Sequence, residues 1–469
     1  MLFNSYPFVF VFLPLVLAGF AVLVRWRARR AVLGFLIIAS LTFYAWWDWR
    51  FLPLILFSIL FNFFWGRLLR WCVRAHRRAT LPSRGALAIG IAVNLGLLGY
   101  FKYRNLLVET AGMAIGADWH MPALVLPLAI SFFTFEQITY QVDVYYGTTG
   151  SYDFLSYCLF ITFFPHLIAG PIVRFQELVP QFTAERTFGL SPKNMANGLL
   201  IFAIGLFKKV VIADTFSGWV GPIFDQAAAP AFSDAWGGAL AYALQLYFDF
   251  SGYTDMAIGL ALMLNIVLPE NFDSPYKAQS IIDFWRRWHM TLSSFLRDYL
   301  YIPLSGRGAG ARRLFSHFLT MFLGGLWHGA SWTFALWGGL HGVYVATNYM
   351  WRRTGIRLPG GVAWAITFLA VMVGWVFFRA PSLARAHIML EGMVGLNGFA
   401  WSQMPYSIGG KRLERLIPAL VIVLWGPNRQ TIMTWRVTSD WVYALAFAIL
   451  AGMSILRLGD PSPFLYFQF

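Results

Sequence analysis

Charge is scarce in this chain. Only 12% of its 469 residues are Asp, Glu, Lys or Arg, about half the fraction of an ordinary soluble domain. The longest polar stretches, 174–194 and 379–412, are loop-sized, which excludes a soluble domain of useful size. Cysteine is nearly absent. Cys72 and Cys158 both fall in or beside apolar stretches, so neither a disulfide framework nor a thiolate metal or redox motif is expected. A Gly-x-Ser-x-Gly elbow and a Walker-type phosphate loop are both missing. No histidine is followed five residues later by aspartate, no metal-ligand spacing stands out, and no fixed-period repeat or low-complexity tract is present.

Apolar residues fill the space that charge leaves. The chain is 58% hydrophobic and 18% aromatic, with a mean hydropathy of +0.60. The apolar runs are continuous rather than alternating, which excludes a β-barrel and predicts an all-α, polytopic membrane protein. Candidate spans lie near 7–24, 31–47, 51–70, 86–103, 122–145, 153–173, 195–213, 236–265, 314–327, 331–350, 361–378, 413–426 and 440–457. Some fall short of the roughly 20 residues a full crossing needs, so we expect about 11–13 transmembrane or re-entrant helices in one membrane domain, 1–469, with a catalytic core near 122–350.

The formal net charge is +15. Nucleic acid is not the implied partner, because the basic residues cluster at the ends of apolar runs: Arg25, Arg27, Arg29 and Arg30, then Arg67, Arg70, Arg74, Arg77 and Arg78. Such clusters mark cytoplasmic ends facing anionic membrane lipids. Residues 1–6 carry no charge and the stretch after the first span carries four arginines. That pattern predicts a retained first span with the N-terminus outside. Region 279–327 is both aromatic and rich in arginine (Arg286, Arg287, Arg297, Arg307, Arg312, Arg313). A plain span could not hold those charges, whereas a re-entrant or partly buried pair of helices could.

Two histidines stand out in this setting: His289, in Phe284-Trp285-Arg286-Arg287-Trp288-His289, and His328, in Gly324-Gly325-Leu326-Trp327-His328-Gly329. An ionisable group at bilayer depth costs roughly 2.5 kcal/mol or more when charged, so it usually lines a cavity and has a task. Read as one helix, 283–301 places Trp285, Trp288, His289, Leu292 and Leu296 on a single face, with Arg286 and Arg287 off it. His289 is then either a structural histidine or part of a site. The glycines beside His328 leave room for a substrate or for a neighbouring helix. A neutral imidazole in an apolar channel suits a general base. His341, in Leu340-His341-Gly342, reads as structural or supporting. Asp249 and Asp255, embedded in Leu246–Met256, are expected to pair with an arginine or histidine inside the bundle. Glu136 and His166 invite the same treatment. The basic loop Ser305–Arg313, with Arg307, Arg312 and Arg313, could meet coenzyme phosphates or lipid phosphates.

Phe284–Tyr301, Gly324–Gly329 and Tyr247–Met256 closely resemble the signature stretches of the membrane-bound O-acyltransferases. Ser40–Trp47, Phe164–Arg174 and Pro463–Phe469 strengthen a resemblance to the alginate O-acetyltransferase (AlgI-like) branch. The likeness spans nearly the whole chain. It implies a ring of helices around a thinned centre, with a tunnel that holds the family's catalytic histidine, here His328. The family's second polar position falls on His289, 39 residues earlier. Trp285, Trp288, Arg286, Trp327, His341, Asp249 and Asp255 would line the tunnel or support it. The resemblance further implies a multi-pass protein of the bacterial inner membrane. It would bind no cofactor or metal, take acetyl from cytoplasmic acetyl-CoA, and work with periplasmic acetyltransferase or polysaccharide-modification proteins on an exported polysaccharide such as alginate or cellulose. D-alanyl transfer to a cell-wall polymer, which a sister branch performs, a proton-coupled transporter and a scaffold subunit are the competing readings.

Overall fold

A computed structural model describes residues 1–76, 80–119, 121–122, 124–226, 228–306, 310–399, 413–434, 440–460 and Leu465. Every regular element among them is helical. In chain order the helices are α1 (Leu13–Arg25), α2 (Arg29–Ala45), α3 (Leu52–His76), α4 (Leu81–Leu98), α5 (Arg104–Ile115), α6 (Ile130–Tyr146), α7 (Phe154–Thr162), α8 (Phe164–Leu167), α9 (Phe175–Leu178), α10 (Pro192–Phe207) and α11 (Asp214–Phe224). They continue as α12 (Phe232–Met263), α13 (Ile281–Arg287), α14 (Met290–Phe295), α15 (Ile302–Ser305), α16 (Ala311–His328), α17 (Trp332–Arg353), α18 (Gly360–Arg379), α19 (Leu383–Met393), α20 (Leu413–Trp425), α21 (Arg429–Thr434) and α22 (Asp440–Ile455). Four helical stretches are long and apolar enough to cross a membrane: Phe8–Arg25, Trp49–His76, Leu81–Ile115 and Gly360–Arg379, with the shorter apolar α22 beside them. The remaining helices are shorter or more polar. The chain is therefore an all-α, multi-pass membrane protein, as its composition predicts.

The helices gather into two compact units, one of Met1–Phe202 with Thr254–Pro269 and the other of Ala203–Tyr253 with Glu270–Phe469. In the first unit α3, α4 and α6 are joined by amides, which are rare at apolar depth and must find one another there. Asn62 and Asn94 exchange side-chain hydrogen bonds at 3.1 and 2.7 Å, and Gln141 donates to Asn62 at 2.5 Å. The hydroxyl of Tyr157 donates to Gln137. His166 Nδ1 lies 3.1 Å from a Glu136 carboxylate oxygen, both side chains buried. Glu136 and His166, which stand out in the sequence, thus pair with each other.

The second unit is built around aromatic rings. Phe284 and Trp288 stack with centroids 5.7 Å apart, and Trp375 of α18 lies 4.9 Å from Trp288. Its largest helix pair is α16 and α17, which meet backbone to backbone. A Cβ added at Gly325 would fall 2.4 Å from the Phe334 carbonyl oxygen and 2.8 Å from the Gly338 Cα. One added at Gly338 would fall 2.4 Å from the Met321 carbonyl oxygen. Gly325 therefore serves the helix contact that the sequence left as one of two readings. Buried Arg385 of α19 ends α11: its guanidinium donates to the carbonyls of Phe224 (3.0 Å), Ala228 (2.9 Å) and Ile223. A cation at a helix C-terminus is favourable both as donor and as charge.

Candidate active site

The segment expected to be one helix is broken at its histidine. Ser280 caps α13 by accepting from the Asp283 N–H at 3.1 Å, and Asp283 pairs with Arg287 one turn on at 3.0 Å. The helix then stops. Trp288 is extended, and His289 adopts a left-handed backbone (φ 42°, ψ 55°) before α14 begins at Met290. A non-glycine residue in that region costs about 1–2 kcal/mol. The contiguous face of Trp285, Trp288, His289, Leu292 and Leu296 is thus corrected: a local pattern of spacing could not register a bend imposed by a distant strand of chain. That strand is 271–273. The Met290 N–H donates to the Asn271 carbonyl at 3.0 Å, and the Asp273 N–H donates to the Arg287 carbonyl at 2.9 Å. Beyond α14 the chain widens into a π-type turn, Leu296–Tyr301, a local form frequent at functional sites.

Past the break, His289 lies near His328. The two rings lie 6.3 Å apart, centroid to centroid. His289 is fully buried, edge-on to Phe250 at 4.7 Å. Its Nδ1 is 3.1 Å from Asn271 Oδ1, while its Nε2 has no hydrogen-bond partner among the described residues. His328 ends α16, with 7% of its surface exposed. Trp327 (4.9 Å), Trp337 (5.3 Å) and Phe378 (5.3 Å) surround it. The Trp288 ring packs elsewhere. It belongs to the ring cluster of Phe272, Tyr276, Phe284 and Trp375.

His341 stands behind the pair. Trp285 Nε1, which can only donate, gives its hydrogen to His341 Nδ1 at 3.2 Å. Trp337 packs against both His341 (4.9 Å) and His328. Gly374 of α18 leaves room for this ring, because a Cβ there would fall 2.8 Å from His341 Nε2.

A cavity of about 500 Å³ is walled by chain segments next to His289 and His328, neither of which is among its lining residues. Trp285 and Met290, which flank His289 in the chain, form part of its wall, as do Thr320 and Met321, two turns before His328 on α16. Its rim is basic and aromatic. Exposed Arg286 and Arg297 line it together with Tyr301, His317 and Tyr349. Arg313 and Arg353 both donate to the Tyr349 hydroxyl, at 2.7 and 3.0 Å. The charge that sequence reasoning sought in the loop 305–313 is distributed differently. Arg312 is turned onto the Leu304 carbonyl at 3.2 and 3.1 Å, Arg313 onto Tyr349, and Arg307 lies outside the described residues. So do Arg77, Arg78 and most of the terminal motif Pro463–Phe469.

The two aspartates separate. Asp249 is in the second unit, buried, with an oxygen 2.6 Å from Lys209 Nζ, which also reaches Asp214 at 2.7 Å. The Leu465 N–H hydrogen-bonds the same carboxylate. The expected arginine or histidine partner is thus a lysine. Asp255 is buried in the first unit. Sequence reasoning passed over Lys209, although a charged residue beside Val210-Val211-Ile212-Ala213 carries the same signal as Asp249. It also passed over Asn271, and it named Arg297 only as one arginine of the region 279–327. Asn271 shows only as a polar residue in the segment between α12 and α13, with nothing local to link it to His289.

Comparison with known proteins gives this geometry its context. The sequence model of MBOAT, the membrane-bound O-acyltransferase family, matches residues 148–380, a stretch that holds His289, His328, His341 and Asn271. The chain is 43% identical to the peptidoglycan O-acetyltransferase of Helicobacter pylori over 100% of its own length and 98% of that protein. It is 40% identical to the probable alginate O-acetylase AlgI of Pseudomonas putida over 100% of both. The teichoic acid D-alanyltransferase of Bacillus subtilis is more distant, 28% identical over 56% of this chain and 71% of that one. With full-length likeness of this order, and the histidine pair held within the matched region, the chain belongs to the membrane-bound O-acyltransferase family and is an O-acyltransferase.

Proposed function

We propose that this protein takes acetyl from acetyl-CoA on the cytoplasmic side of the inner membrane, its N-terminus lying outside, and delivers it for O-acetylation of a glycan beyond the membrane, directly or through a periplasmic partner. The observation that carries this reading is the histidine pair, buried with ring centroids 6.3 Å apart, with a cavity lined by Arg286 and Arg297 formed from the chain on either side of His289. His328 removes the proton of the acceptor hydroxyl as its oxygen attacks the thioester carbonyl. The C–S bond breaks, the new ester forms, and the proton passes to the departing thiolate. Positioned acid–base help of this kind contributes about 10²- to 10⁴-fold. His289 orients the thioester or steadies the developing oxyanion. The apolar walls keep water from competing for the acetyl group, and Arg286 and Arg297 receive the phosphates of the coenzyme.

Acetyl is favoured over D-alanyl because the acetyltransferases match the chain at 40–43% identity from end to end, whereas the D-alanyltransferase matches about half of it. The likeness to a peptidoglycan O-acetyltransferase adds the cell-wall glycan to the exported polysaccharides as acceptor. Two assays test the reading. Purified protein in lipid nanodiscs should release free coenzyme thiol from acetyl-CoA in the presence of a glycan or partner hydroxyl. A strain lacking the protein should lose acetyl esters from one envelope or exported glycan, and mass spectrometry of each fraction names it. An unchanged ester content in every glycan, or turnover only with a D-alanyl donor, would overturn the proposal.

A further inference from the structure

We infer that Asn271 is a positioning residue of the acyl transfer: it holds His289 as the tautomer with hydrogen on Nδ1 and leaves the Nε2 lone pair facing the site. The inference rests on the proposed role of the histidine pair, but the geometry behind it is independent of that role. Three groups converge on one oxygen. Asn271 Oδ1 lies 3.2 Å from the Thr291 backbone nitrogen, 2.9 Å from the Thr291 hydroxyl and 3.1 Å from His289 Nδ1. A backbone N–H can only donate, so the atom facing it is the amide oxygen and not the amide nitrogen. An oxygen facing Nδ1 in turn requires a hydrogen on Nδ1. In a neutral imidazole Nε2 is then the acceptor, and it is the ring atom without a partner among the described residues.

The grip extends to the backbone. The Asn271 carbonyl accepts from Met290, fixing the left-handed turn at His289 from the other side. The segment around Asn271 is itself held from α21 and from Gly426, just after α20. Glu270 pairs with Arg429 and accepts from Gln430 at 2.9 Å, Gln430 also donates to the Phe272 carbonyl at 2.7 Å, and Lys277 donates to the Gly426 carbonyl at 2.7 Å. Asn271 and His289 are both fully buried, so water cannot take the amide's place. A side chain that sets the orientation and tautomer of another affects the chemical step more than substrate binding.

Nitrogen NMR of protein labelled in its histidines, with His289 assigned by loss of its signal in His289→Gln, reads the tautomer directly. The expected spectrum shows a protonated Nδ1 and a bare Nε2 in the unsubstituted protein. Asn271→Leu, which cannot accept, should shift that pattern and lower kcat about 10²-fold while leaving KM for acetyl-CoA within about twofold. Asn271→Asp keeps an acceptor at the same place and should retain the tautomer and most of kcat. The inference is overturned if His289 in the unsubstituted protein carries its hydrogen on Nε2. It is equally overturned if Asn271→Leu turns over normally while His289→Gln does not. If His289→Gln and His328→Gln both turn over normally, it is the role proposed for the histidines that fails, and the tautomer result still decides what Asn271 does to the ring.

Discussion

At the scale of single residues, the chain shows how ionisable groups survive in apolar surroundings. Lys209 is fully buried, yet it touches two carboxylates within 2.7 Å. Removing one member of such a cluster costs about 3–5 kcal/mol, because it leaves charge buried without compensation. Lys209→Met should therefore lower the unfolding temperature of the detergent-solubilised protein markedly, and adding Asp249→Asn should restore part of the loss. An unchanged unfolding temperature in the single variant would show that the cluster is not a stabilising one. The sequence announces these positions as anomalies without naming their partners. Asp249 stands out in Leu246–Met256, but its partner lies 40 residues earlier and one helix away.

At the scale of elements, two local features set the site: the interrupted helix at His289 and the close crossing of α16 and α17. The crossing was half legible. Gly324-Gly325 and Gly338-Gly339 are visible as small pairs, but whether they make room for a ligand or a helix is decided only by what packs there. Gly325→Leu would drive a side chain into the Phe334 carbonyl and the Gly338 backbone, pushing α16 off α17 and moving His328 at its end. We expect turnover to fall about 10²-fold, the scale of a displacement near 1 Å, with helix content by circular dichroism unchanged. Gly324→Ala meets only the flexible Leu296 side chain, at 3.0 Å, and should keep most activity. Equal activity in both variants would contradict this account. The interruption was not legible at all. No glycine or proline marks Trp288-His289, and the bend depends on Asn271, 18 residues earlier.

At the scale of the whole molecule, composition carried the fold class. Sparse charge and continuous apolar runs require helices, because backbone groups in lipid must bond within their own segment. The placing of charge around the cavity was less accessible. The glycine-rich basic loop at 305–313 drew attention by its density of arginines, whereas the structure puts Arg286 and Arg297 on the cavity wall. Both are exposed, so each should act on donor capture more than on chemistry. Arg286→Gln with Arg297→Gln is expected to raise KM for acetyl-CoA about tenfold at low salt, less at high salt as ions screen the contact, with kcat within about twofold. Steady-state kinetics across ionic strength checks this. An unaltered KM would place the coenzyme phosphates elsewhere.

The central claim is that an imidazole at position 328 performs acyl transfer. Its most direct test is a single-turnover measurement with radiolabelled acetyl-CoA and a hydroxyl acceptor, comparing the unsubstituted protein with His328→Ala, both reconstituted in nanodiscs at matched folded concentration. The account predicts transfer of label by the unsubstituted protein and a rate at least about 10²-fold lower in the variant, with acetyl-CoA still bound. Label transferred at the same rate by His328→Ala would contradict it.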